Sequence, residues 1–223
     1  MCDQGSEAKS KLGAKVTYGH CIDVICKSSD VQLQWPSFDD LYHQVSSGIF
    51  LNNGTKKYIL DKNTNSNWYF LYARGFSIDW IQDPRYWRWI NITESGQTYE
   101  VAECIQVSWF DIRVKVSATF FTPRIVYDVI WKIQLTNNAS GWELPVNIEL
   151  MRPNGCKIEH KQSLQSVKRG DWLEISGGDF LVDNCGCENG GEIELHMYEH
   201  GGHWKRGFLL KGVEFRPHGS DCA

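Results

Sequence analysis

The chain is predicted to be all-β, an antiparallel β-sandwich of jelly-roll type with a short N-terminal helix. Three observations lead there. Apolar and polar residues alternate with a period of two in segment after segment, turn residues punctuate those segments, and a convincing helix signal occurs once.

In chain order, residues 1–34 are poor in aromatics and carry no long periodic run. They read as an N-terminal arm, with a short strand between Val16 and Ile25, and residues 35–223 read as one domain. Trp35-Pro36-Ser37 opens the helix, with Ser37 as N-cap and Asp40 three residues on as a capping box. Leu41, Tyr42 and Val45 share one face of it, and Ser46-Ser47-Gly48 ends it. The period then changes to two. Ile49-Phe50-Leu51 precedes the turn at Asn53-Gly54, Lys57 to Leu60 precedes a polar stretch, and Trp68 to Ala73 is rich in β-formers. Alternation is clearest in Ile112–Val116, Leu144–Leu150 and Glu192–Tyr198. A longer strand, Ile125–Leu135, sets Tyr127, Val129, Trp131 and Ile133 inward and Asp128, Lys132 and Gln134 outward. Glycine-rich breaks at 177–178, 186–191 and 201–202 separate the later strands.

Composition narrows the function classes. A net charge of −4 gives no electrostatic footprint for nucleic acid, and no apolar run is long enough for a membrane helix. The N-terminus is polar and lacks the apolar core of a signal peptide, so synthesis in the cytoplasm is expected. There is no Gly-x-Ser-x-Gly elbow, P-loop or His-Glu-x-x-His, and no pair of carboxylates stands apart from solvated strand positions, so no enzyme is expected. The eight cysteines include Cys185-Gly186-Cys187 near His200 and His203, but no Cys-x2-Cys knuckle. Neither a metal nor a cofactor is expected. Cys2, Cys21 and Cys26 on the arm are candidates for cross-linking to other chains.

Ten tryptophans are too many to hide. Trp80, Tyr86, Trp87 and Trp89 crowd around an Asp83-Pro84 turn, and indoles on a loop suit sugars, whose C–H faces lie flat on the ring. Trp87 is expected at the surface. Trp80 either stacks on ligand or plugs the end of the core, and Trp89, at strand spacing from Trp87, is expected in the core. Arg85 and Tyr86 ride on the same turn as secondary contacts. Glu199 and Lys205 bracket the Gly201-Gly202 loop, where an acceptor and a donor would direct sugar oxygens. Glu192 and Glu194 alternate with Ile193 and Leu195, which favours an outward charged face, and His196, His200, His203 and His218 read as surface residues.

Several stretches, in order, carry a resemblance. They are Trp35 to Tyr58, Ala73-Arg74-Gly75-Phe76-Ser77-Ile78-Asp79-Trp80, Tyr86-Trp87-Arg88-Trp89-Ile90, Val101-Ala102-Glu103, Gly170-Asp171-Trp172-Leu173-Glu174-Ile175 and Gly202-His203-Trp204-Lys205-Arg206-Gly207 through Pro217. Over residues 37 to 217 the chain resembles the phloem protein 2 family, plant phloem lectins that share their domain with the tobacco lectin Nictaba. The resemblance implies a β-sandwich lectin for N-acetylglucosamine oligomers (chitin fragments) and the chitobiose core of N-glycans, carried in sieve-tube sap. It also implies that Trp80 and Trp87, a tryptophan pair seven residues apart, take part in sugar binding, and that late acidic residues, matched here by Glu192 and Glu199, do so too. A homodimer would raise apparent affinity through avidity. Two other readings stay open. One is a structural phloem protein that cross-links through disulfides, including to other phloem proteins, into a wound plug or filament; the other is a carrier of RNA or protein in the translocation stream.

Overall fold

The computed structural model describes residues 25, 28–30, 33, 37–61, 66–94, 96–182 and 191–219. The strand expected from Val16 to Ile25 (save Ile25 itself, which is buried), most of the arm and six of the cysteines (Cys2, Cys21, Cys26, Cys185, Cys187 and Cys222) lie outside the described residues.

The helix α1 runs Phe38–Ser47. The Asp40 amide donates to the Ser37 hydroxyl at 3.2 Å, as an N-cap requires. Leu41 and Val45 are buried, and Gly48, at φ +91°, turns the chain into the first strand.

Among the described residues thirteen strands follow: β1 (Ile49–Leu51), β2 (Lys56–Leu60), β3 (Asn67–Tyr72), β4 (Ser77–Ile78), β5 (Trp87–Glu94), β6 (Gln97–Cys104), β7 (Phe110–Ser117), β8 (Val126–Ser140), β9 (Val146–Met151), β10 (Lys157–Gln162), β11 (Trp172–Leu181), β12 (Glu192–Glu199) and β13 (Arg206–Pro217). They form two antiparallel sheets. The larger holds eight strands around β13, which pairs with β8 on one flank and with β3 and β6 on the other; β8 in turn pairs with β11. The smaller has the order β10-β9-β12-β7-β4.

The expected all-β sandwich is therefore present, and its core follows the alternation. Tyr127, Val129, Trp131, Ile133 and Leu135 of β8 are fully buried, as are Phe208, Leu210, Val213 and Phe215 of β13. The smaller sheet answers with Ile112 of β7, Ile148 and Leu150 of β9, and Ile193, Leu195 and Met197 of β12. A second, smaller apolar cluster (Tyr72, Tyr99, Val101 and Leu209) lies apart from this core. Among the described residues no helix is long and apolar enough to cross a membrane.

Candidate functional site at the aromatic end of the sandwich

Three loops meet where β4 ends, β7 begins and β12 turns into β13. The first, residues 79–86, is a chain of tight turns. The Ile81 amide donates to the Ile78 carbonyl (3.3 Å), Asp83 to Trp80 (3.0 Å) and Tyr86 to Asp83 (3.0 Å). The Asp83 carboxylate accepts from the Arg85 amide at 3.0 Å and pairs with its guanidinium at 2.6 Å. Those hydrogen bonds from Arg85 hold the Asp83 carboxyl below the usual carboxylate range.

This winding leaves Trp80 at φ +69°, a left-handed backbone that is an outlier for so bulky a residue, and 56% exposed. Tyr86 meets the indole edge-on with centroids 5.9 Å apart. On its other side Tyr86 lies 6.4 Å from Trp204 at an angle of 22°. Trp80, Tyr86 and Trp204 thus form a row, and Trp204 is also half exposed.

The loop carrying Trp204, residues 200–205, is pinned from below. Lys205 is wholly buried, and its ammonium donates to the carbonyls of Ser108 (2.6 Å), His203 (3.1 Å) and Gly201 (3.2 Å) while pairing with Glu199 at 2.5 Å. The second Glu199 oxygen accepts the Gly201 amide at 2.7 Å. A buried charge persists when it is paired and hydrogen-bonded this fully. Lys205 also exchanges both backbone hydrogen bonds with Val107, so the 105–109 loop is tied in. The fit against the end of β8 is close. A Cβ on Gly141, itself at φ +82°, would stand 2.0 Å from the Trp204 carbonyl oxygen.

With this geometry in view, residues 66–217 match the family model described as phloem protein 2. A lectin from Luffa acutangula is 44% identical over 207 residues, covering 92% of this chain and 98% of its own. The phloem protein 2-like A1 protein of Arabidopsis thaliana is 37% identical, covering 89% and 80%. The chain belongs to the phloem protein 2 family. Among solved structures, a xylan-binding domain from Paenibacillus barcinonensis overlaps 67% of this chain and 90% of its own at 11% identity and a TM-score of 0.38, too loose an overlap to support anything about ligands.

Within this phloem protein 2 domain, the sequence-predicted site residues divide. Trp80, Arg85 and Tyr86 come together on the 79–86 loop, with the Arg85 guanidinium 5.3 Å from the Tyr86 ring. Trp87 corrects the expectation of a surface indole. It is 1% exposed and stacks on Phe110 at 6.1 Å inside the core. Trp80 is the exposed member of the pair, because the turns between them break the period that would set their facing. Trp89 packs on the margin of the core, under the Arg74 guanidinium at 3.8 Å.

Glu199 and Lys205 are committed to each other beneath the loop and show almost no surface. Glu192 opens β12 while Glu199 closes it, so seven residues of strand, about 23 Å, separate them. Glu192 is exposed and pairs with Lys115 at 3.5 Å. Two aromatic residues were not singled out from the sequence. Trp204 follows the glycine-rich break at 201–202, and Trp109 lies 3.7 Å from the His200 ring in a parallel stack. A tryptophan beside a glycine turn is a signal for exposure, which Trp204 carries; Trp109 has no such neighbour, and both are exposed.

Proposed function

We propose that this chain is a lectin of phloem sap that binds β-1,4-linked N-acetylglucosamine oligomers, as chitin fragments or the chitobiose core of N-glycans, on the Trp80–Tyr86–Trp204 row. One observation carries the reading: an indole held 56% exposed in a left-handed backbone conformation. Such strain costs on the order of 1–3 kcal/mol and survives where the surroundings impose it, most often at binding sites. The lectin name of the Luffa acutangula relative supports sugar as the ligand class.

The row offers C–H stacking surfaces, and Arg85 at its edge supplies donors for hydroxyl and acetamido oxygens. Trp87, Glu199 and Lys205 act from behind by holding the two loops. Carboxylates near the row are already engaged, Asp83 by Arg85 and Glu199 by Lys205, which favours binding over acid–base chemistry. The carbohydrate-binding domain is residues 35–223, and two copies in a homodimer would strengthen a shallow site through avidity.

The test is a titration with chitotriose followed by tryptophan fluorescence. Saturable quenching in the wild type that is lost in Trp80→Ala, with circular dichroism unchanged, is expected. A flat wild-type titration, or full binding by Trp80→Ala, removes this reading.

A further inference from the structure

The outer face of β12 carries His196 and Tyr198 at strand spacing, with His200 next in step just beyond its end. Their rings follow in sequence, His196 stacked on Tyr198 at 4.4 Å and Tyr198 tilted against His200 at 4.8 Å, and Trp109 stacks on His200 to close the ladder. Beside them on β7 lies Asp111, opposite Tyr198 in the register and 3% exposed although its side chain points away from the sandwich core. The two histidines read from the sequence as surface residues in fact cover this carboxylate.

The convergence is narrow. His200 Nε2 lies 2.9 Å and His196 Nε2 3.1 Å from the same oxygen, Asp111 Oδ2, and the three ligand atoms all fall within 4.8 Å of one another. The other oxygen, Oδ1, is taken by the Arg113 guanidinium at 2.9 Å, which leaves Oδ2 free to bind through one atom. His196 Nε2 is buried yet makes no well-directed hydrogen bond, despite its nearness to the carboxylate. A polar nitrogen removed from water without such a bond is costly, and it is aimed at the point where the three ligands meet.

We propose that Asp111, His196 and His200 form a binding site for one divalent transition-metal ion of the zinc type. Two imidazoles and one carboxylate are the donor set such ions take, with bonds of about 2.0–2.2 Å. Tetrahedral ligands at that distance stand roughly 3.3 Å apart, so the two histidine–carboxylate distances widen by a few tenths of an ångström to admit the ion. Each ring would ligate through Nε2 in its neutral form, which carries the one proton on Nδ1. For His196 that places an N–H toward Glu149 Oε2, 3.8 Å away, and Glu149 is itself fixed by Tyr198 (2.9 Å) and Lys157 (2.7 Å). A carboxylate behind a ligating histidine is the usual outer support of such a site. Three protein ligands leave a fourth position for water or a ligand oxygen. Since His200 directly precedes the 201–205 loop, the ion would clamp the base of the segment that presents Trp204. The site does not depend on the sugar reading.

The experiment uses the full chain with its reactive thiols alkylated, because eight cysteines compete for the same ions. Calorimetric titration with zinc chloride, and absorption spectra with cobalt(II), are compared for the wild type, His200→Gln, Asp111→Asn and the helix variant His43→Gln. One equivalent should bind in the wild type and in His43→Gln, with cobalt ligand-field bands and no thiolate charge-transfer band. Affinity should fall at least about tenfold in each of the other two. Zinc should also shield His196 and His200 of the wild type from diethyl pyrocarbonate, mapped by mass spectrometry; this arm holds even if a variant fails to fold. No binding after alkylation, unchanged affinity in His200→Gln, or unshielded histidines overturns the proposal.

Discussion

Trp80 and Lys205 show two opposite ways in which a single residue serves this end of the molecule. Trp80 stores strain at the surface. Glycine adopts its left-handed backbone without steric cost, so Trp80→Gly should abolish sugar-dependent quenching while the melting temperature stays level or rises, as read by calorimetry. Lys205 stores charge in the interior. Lys205→Met would strand the Glu199 carboxylate, and unfolding in urea should show a loss of about 3–5 kcal/mol, the cost of breaking a buried pair. The sequence showed that Trp80, Arg85 and Tyr86 share a turn, but it left the facing of Trp80 open and put Trp87 at the surface, where the structure buries it. Facing along a strand follows from parity, whereas across consecutive turns it depends on dihedral angles that residue spacing does not encode. Lys205 misled for a related reason. A lysine beside tryptophan in a glycine loop looks solvated, and the carbonyls that enclose it come from residues as distant as Ser108.

Among the elements, β8 and β12 were readable because one face of each is covered by the other sheet, which forces strict alternation. The cap of α1 was readable because it is local chemistry. The side-chain contacts across the larger sheet were not. Glu94 at the end of β5 pairs with Lys211 of β13 at 2.6 Å and accepts from the Trp172 indole of β11 at 2.8 Å, partners 117 and 78 positions away. Burial works to raise its carboxyl, but the bonds from Lys211 and Trp172 prevail and hold it below the ordinary 4.5. A depressed carboxyl adds stability that is fully present above that ordinary value and is lost as pH falls through the lower, folded one. Stability measured against pH should therefore drop less steeply below about pH 4.5 in Glu94→Gln than in the wild type. Parallel curves would show that the cluster contributes nothing.

At the scale of the whole molecule, the two described cysteines differ sharply. Cys156 is exposed between β9 and β10, whereas Cys104 is buried at the end of β6, where burial pushes its thiol up to about 12. A thiol reagent at neutral pH should label Cys156 in the native chain and spare Cys104 until the sandwich unfolds, as peptide mapping would report. Early labelling of Cys104 would mean that the β5–β6 flank of the larger sheet opens well below global unfolding. The count of cysteines was legible in the sequence; which of them are accessible is a property of the closed sandwich.

The fastening of the 200–205 loop lies wholly behind its outer surface. Lys205, Glu199, the Val107 bridge and the glycine at 141 fix the loop's path, while Trp80 and Trp204 point away from all of them. On the proposed reading, anchoring and recognition fall to separate side chains. Randomising positions 80, 86 and 204 together in a display library should yield many folded variants with altered ligand preference, much as antibody frameworks tolerate new loops.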